Sequence, residues 1–261
     1  MIPQELKDMN KGLSDWNVLT AYRGSIAHGM FVPNSDPDSI DDKDIMCVCI
    51  PPLEYYFGLK TYGSRGTKEN KFNEWDCVTY EFKKFISLLI KSNPNVLGML
   101  WLEEKHYIYR APIIKELIER RDLFVSKQAY YSFAGYAKGQ MHRMTHGACL
   151  GYMGAKRKAL VKQHGYDTKN AGHLIRLLRM AIEFLNDGKL YVERKHDATE
   201  LLEIKKGKWS LEKVQKEADR LFDLADKAYM HSALPLDVDK KFIGEFCTSL
   251  LEGYFQNERM A

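Results

Sequence analysis

Apolar and polar positions alternate differently in the two halves of the chain. "NVLTAY" at 17–22 is rich in strand formers, and "DIMCVCI" at 44–50 is so nearly continuous in apolar residues that a central strand, covered on both faces, is predicted there. Pro51-Pro52 ends it. "WDCVTYEF" at 75–82 alternates as a third strand and runs into "KKFISLLIKS", where Phe85, Leu88 and Leu89 recur at helical spacing until Asn93-Pro94 breaks the pattern. After Leu123 helical spacing takes over. "NAGHLIRLLRMAIEFLNDG" places Leu174, Leu177, Leu178 and Ala181 on one face and stops at Gly188, a left-handed C-cap, with Asp167 or Thr168 placed to cap its start. A further helix begins with Ser210 at an N-cap position and continues through Leu221, Leu224 and Ala225. The expected architecture is α+β: a mixed sheet with helices packed on one side over residues 1–125, followed by an all-helical region over 126–261, without internal repeats.

Composition narrows the class. With 45% apolar and 28% charged residues in 261, disordered and fibrous chains are excluded. No apolar run approaches the roughly 18 residues of a membrane span, and "MIPQELKDMNKGLSDWN" lacks the build of a signal peptide, so a cytoplasmic location without membrane partners is expected. Cys47, Cys49, Cys77, Cys149 and Cys247 are odd in number and show no CxxC spacing, which predicts reduced packing residues and no disulfide. The net charge of +4 says little by itself. Its distribution says more: residues 138–169 carry ten Lys, Arg or His against one Asp, whereas "SDPDSIDDKD" lies early, a division that suits a polyanionic substrate held over metal ions.

Nucleotidyl transfer needs a turn whose backbone N–H groups hold a triphosphate, and carboxylates that place two divalent cations. Gly24-Ser25 after the first strand can supply the turn, since glycine admits a phosphate to the backbone and serine adds a hydroxyl. Asp42 and Asp44, two apart at a strand start, project to one face as hard oxygen ligands for Mg²⁺ or Mn²⁺, with Lys43 pointing to the other. Asp76, opening the third strand, is the expected third metal ligand and would help deprotonate an attacking hydroxyl; Glu81 is the fallback, on the opposite face by its odd spacing.

A Gly-Ser turn, an Asp-x-Asp entering a strand and a distant third Asp resemble the signature of the DNA polymerase β nucleotidyltransferase superfamily. More closely, "GSIAHGMFVP…SIDDKDIMCVCIPP", "YEFKKFISLLIKSNPNVLGMLW" and "HGYDTKNAGHLIRLLR" with "GKWSLEKV" look like the bacterial and phage nucleotidyltransferases associated with RNA-repair ligases, over roughly residues 20 to 235. The resemblance implies an NTP, ATP among the four, as donor and an RNA 3′ end as acceptor. It also raises Lys169, His173 and Arg176, on one helical face, from an ordinary exposed stripe to nucleotide-binding candidates. A protein hydroxyl, as in AMP-transferring toxins of the superfamily, and a catalytically idle nucleotide- or RNA-binding module are the alternatives.

The spacing departs from the superfamily pattern, in which the Asp pair follows the turn more closely. Asp36 and Asp38 sit at the usual distance, but Pro37 suits a turn, so the metal pair is assigned to Asp42 and Asp44 and residues 33–41 to an inserted loop. His28 either contacts a phosphate or packs against the turn. Lys156, Arg157 and Lys158 read as solvated surface unless they flank the cleft, "QAYYSFAGYAK" as core unless its rings stack on bases, and one of Lys83 and Lys84 as facing the nucleotide.

Overall fold

The computed structural model describes residues 16–145 and 155–260, except 34, 37, 38, 40 and 73. Five strands form one mixed sheet in the order β3-β4-β2-β1-β5: β1 Asn17–Tyr22, β2 Lys43–Cys49, β3 Thr67–Phe72, β4 Trp75–Glu81 and β5 Tyr107–Arg110. β2 is the middle strand. It runs parallel to β4, with Asp44 opposite Asp76, and antiparallel to β1.

Burial follows the pleat. Met46, Val48 and Val78 join the main core with Phe82, Phe85 and Leu89, whereas Ile45, Cys47, Trp75 and Cys77 form a small cluster on the other face. Helices therefore cover one face, and successive residues of β2 divide between a helix-covered side and a thinly covered one. Lys43 falls on the thin side, paired with Glu74 and 5.0 Å from the centre of the Trp75 ring. Asp44 falls on the helix side. The four described cysteines, Cys47, Cys49, Cys77 and Cys247, are free and buried; Cys149 lies outside the described residues.

β3 and β5 add two strands to the three expected. "TKENKF" has no apolar alternation; it is an outer strand whose Lys68, Glu69, Asn70 and Lys71 are exposed, and its lysines suit an unpaired edge. β5 is the opposite edge and only four residues long.

The helix Thr168–Asp187 is the axis of the second half. Asp167 caps it by accepting from the Asn170 N–H at 3.2 Å, and Gly188 ends it at φ 65°. It packs against the helices Gln128–Thr145, Ala198–Lys205 and Leu211–His231, the last capped by Ser210. Leu174, Leu178 and Ala181 belong to the same core cluster as the sheet residues, so the change of secondary structure near residue 125 is not a break in the core. No helix among the described residues is long and apolar enough to cross a membrane.

One buried cation fastens the loop after this helix. Arg194 is fully buried and donates to Glu183 at 2.5 and 2.7 Å and to Asp197 at 2.9 Å through two of its nitrogens. Removing one partner of so buried a network strands the remaining charges. Arg194→Met is expected to cost about 3–5 kcal/mol of stability, measurable as a lower urea midpoint at unchanged slope.

Candidate active site

β1 leads into Arg23 and a single helical turn, Gly24–Ala27, which folds back against the start of β2. The Arg23 N–H donates to the Asp44 carbonyl at 3.0 Å, and the Met30 N–H closes the turn on the Ser25 carbonyl at 2.8 Å. Gly24 has φ +61°, and a Cβ there would stand 2.2 Å from Asp44 Oδ2. Glycine is thus required twice, by the left-handed backbone and by the carboxylate in the space a side chain would fill.

The turn and the strand start border a cavity of about 300 Å³ lying between the sheet and the helical half. Gly24, Ser25, His28, Asp42, Asp44, Lys169, His173 and Arg176 all line it, so eight of the nine residues singled out in the sequence come together around one space. Asp76 does not line it. It is half-buried beside Asp44, its direct partner across the parallel ladder, and its charge is felt there.

The fallback and the rival pair have other partners. Glu81 is the N-cap of the helix Phe82–Ile90, accepting from the N–H groups of Lys83 at 2.8 Å and Lys84 at 3.2 Å. Asp36 pairs with Lys206 at 3.3 Å, and Asp38 lies outside the described residues. Neither Lys83 nor Lys84 lines the cavity; Lys83 stands 5.9 Å from the Tyr56 ring centre and Lys84 packs at Gly66. Arg157 holds the capping Asp167 at 2.7 Å, and nothing is described of the Lys156 side chain.

Burial raises the Asp44 carboxyl above its ordinary range; Arg23, 3.4 Å away, and Lys169 oppose this, while Asp76 and Asp42 add to it. Among the described residues no three His, Cys, Asp or Glu side chains form a ready ligand set for a metal ion. That is compatible with Mg²⁺, which is held by one or two carboxylates together with substrate phosphates rather than by an all-protein cage. Asp42, Asp44 and Asp76 are donors of the right hardness for it.

Cations line the same cavity. Arg176 is 7% exposed, and its Nη1 donates to the Met180 sulfur at 3.2 Å. Among the described residues it makes no ion pair. Burial, then Arg194, bring its pKa down to about 10, so it remains a cation at neutral pH. His28 donates Nδ1–H to the Val192 carbonyl at 2.8 Å, and burial drives it well below the ordinary imidazole range, as it does His173 beside Arg176 and Lys169. Neutral His28 is then left with Nε2 as an acceptor, better suited to a ligand hydroxyl or N–H than to a phosphate oxygen.

Among the polar lining residues, Arg23, Asp41, Asn95, Gln140 and Lys205 carry no role in the sequence reading, whereas Tyr136 falls in "QAYYSFAGYAK", expected to be core unless its rings stack on bases. Arg23 directly precedes the glycine and was within reach of the motif. The others depend on how distant segments pack; Tyr136 itself reaches the cavity beside Asn93, whose amide donates to its hydroxyl at 2.9 Å.

A glycine turn seated on a strand-borne carboxylate, facing a buried cation across a cleft, defines a nucleotidyltransferase of the DNA polymerase β type. The chain belongs to the RlaP family, the RNA repair pathway DNA polymerase beta family, which it matches over residues 4–232. Among solved structures it is similar to a nucleotidyltransferase-like protein from Exiguobacterium sibiricum 255-15, with 9% identity and a TM-score of 0.32 over 87% of this chain and 74% of that one. No curated protein matches.

Gly24→Ala must displace Asp44 or the turn. A misplacement of about 1 Å costs on the order of 10²-fold in rate, so nucleotidyl transfer per folded molecule is expected to fall by about that factor, with about 1–2 kcal/mol of stability lost to the left-handed backbone, read from kcat/KM alongside thermal melting.

Acid should loosen this end of the cavity. His28 and His173 titrate near 6.5 when unfolded and well below that when folded, so the unfolded state binds more protons as pH falls through 6.5. Their neutral burial is unpenalised above that pH, and stability is lost below it, by at most about 1.4 kcal/mol per pH unit for each histidine. Urea midpoints between pH 7.5 and 5.5 should fall more steeply for the wild type than for His28→Gln/His173→Gln.

Proposed function

We propose that the protein transfers an NMP from an NTP to an RNA 3′ hydroxyl, with Mg²⁺ as the resident cation and pyrophosphate as the leaving group. The observation that carries this reading is Arg176: a buried cation, without a carboxylate partner among the described residues, on the wall of the cavity that Asp42 and Asp44 also line. A buried charge is tolerated when something neutralises it, and a phosphate is the anion whose size and hydrogen bonding suit a guanidinium.

When bound, Mg²⁺ would supply charge neutralisation at the reacting phosphate, with Asp42, Asp44 and Asp76 as the residues to hold it. The chain's own groups do the rest. Gly24 and Ser25 offer the triphosphate the unpartnered N–H groups at the start of a helical turn, with the Ser25 hydroxyl beside them. Arg176 and Lys169 attract its oxygens, and neutral His173 packs between them without competing for charge. Asp76, beside Asp44 on the ladder though outside the cavity lining, is the carboxylate we assign to the acceptor hydroxyl's proton. Catalysis is then mainly positioning and electrostatics.

RNA as acceptor is supported by the family and by the helix Gln128–Thr145. That helix has no Asp or Glu in 18 residues, exposes Lys138 and Arg143, and brings Tyr136, 38% exposed, to the cavity wall as a stacking surface for a terminal base.

The test is Mg²⁺-dependent pyrophosphate release from each of the four NTPs, with and without bulk tRNA, for wild type and Asp42→Ala. Release that requires both RNA and Asp42, and whose RNA half-saturation weakens steeply between 50 and 200 mM salt, is expected. RNA-independent release with a flat salt response would point to a protein hydroxyl as acceptor. Nucleotide binding without any release would point to an idle binding module.

A further inference from the structure

The inserted loop between the Gly24-Ser25 turn and β2 is closed at its neck by one lysine of the helical half. Lys205 ends the helix Ala198–Lys205 and is 6% exposed; its ammonium donates to both carboxylate oxygens of Asp41 and, at 3.4 Å, to the Met30 carbonyl. Those three bonds use all three of its protons, so it has none left for a ligand although it borders the cavity. Asp41, 5% exposed, also accepts from the Val32 N–H at 2.9 Å, and the Ser39 hydroxyl donates to the Val32 carbonyl at 2.7 Å. The two sides of the neck are thereby tied to each other and to a helix more than 160 residues further along the chain. Lys206 adds a looser clasp on Asp36.

A buried ion pair is a weak device for stability alone, because apolar residues of similar volume do as well. What it does fix is place. Asp41 is followed directly by Asp42, and Asp44 enters β2 two residues later.

We propose that the Lys205–Asp41 latch is the positioning device of the carboxylate end: the helical half sets where Asp42 and Asp44 stand against the Gly24-Ser25 turn, and the loop beyond the neck does not. This rests on the reading of Asp42 and Asp44 given above. Neither Lys205 nor Asp41 touches the reacting atoms on this view.

Lys205→Met alone would strand a buried carboxylate and lower the melting temperature, so the informative variant is Asp41→Asn/Lys205→Met, which removes both charges. Expected for it are an NTP KM within about twofold of wild type, a kcat lower by about tenfold or more, and an Mg²⁺ half-activation concentration raised about fivefold, with Lys205→Arg keeping most of kcat. Amide hydrogen exchange over residues 41–46 should quicken in the double variant without any ligand present. Wild-type kcat per folded molecule and wild-type Mg²⁺ dependence in the double variant overturn the proposal, whatever its melting temperature. If the wild type turns over no nucleotide, the proposed function fails, and exchange alone decides the latch: unchanged protection over 41–46 rejects it, and faster exchange supports it.

Discussion

Asp44 stands against the turn that precedes it because position 24 carries no side chain. The carboxylate oxygen occupies the space where a Cβ would lie, 2.2 Å away, and the glycine's φ of +61° lets the chain reverse there. From this contact the electrostatics of the cavity follow. Asp44 is drawn partly out of water, and that burial raises its carboxyl even though Arg23 and Lys169 outweigh the charges of Asp76, opposite it on the parallel ladder, and of Asp42. The sheet thus presents an anionic edge at the start of its two parallel strands, on the face that the helices cover.

The helical half completes that edge and does not merely pack on it. Leu174 and Leu178 share the core cluster with Met46 and Val48, and from the same helix Arg176 reaches the cavity. The loop that follows returns to the turn: the Val192 carbonyl accepts from His28, and the Arg194 N–H donates to the His28 carbonyl at 3.1 Å. His28 is therefore gripped by backbone from the far half through its ring and its own carbonyl, which holds it half-buried as a neutral imidazole four positions after Gly24. A cleft built this way has walls fixed by separate stretches of chain, and its shape depends on their joint packing.

Much of this was legible in the sequence, and the reason is local. β1, β2 and β4 show their apolar period, the capping residues Asp167, Gly188 and Ser210 sit where helix ends demand them, and the Gly-Ser and Asp-x-Asp pairs are short-range patterns. β3 and β5 were not legible, because edge strands are defined by the neighbour they pair with and "TKENKF" has no apolar period of its own. The same holds within the site. The face carrying Lys169, His173 and Arg176 reads by spacing as an ordinary polar stripe, and only the packing of the second half turns Arg176 into a buried group. Asp41 and Lys205, 164 positions apart, carry no sequence mark of their partnership.

The chain's treatment of its other buried cations bears on what Arg176 is for. Arg194 is wrapped by Glu183 and Asp197; Arg179 is shared among Asp197, Glu200 and Glu217; Lys205 is matched by Asp41. Each is a solution to the same difficulty, since a desolvated charge without a counter-ion is expensive and is relieved by a carboxylate wherever structure alone is at stake. Arg176 is as buried as Lys205, lies on the same cavity as the carboxylates, and is given a methionine sulfur where its neighbours are given acids. A carboxylate at this position would improve the stability of the empty protein and would repel an anionic ligand. That none pairs with it among the described residues, amid so many paired cations, is what the proposed phosphate site requires, and it is the strongest reason to read the cavity as one that is completed by its substrate.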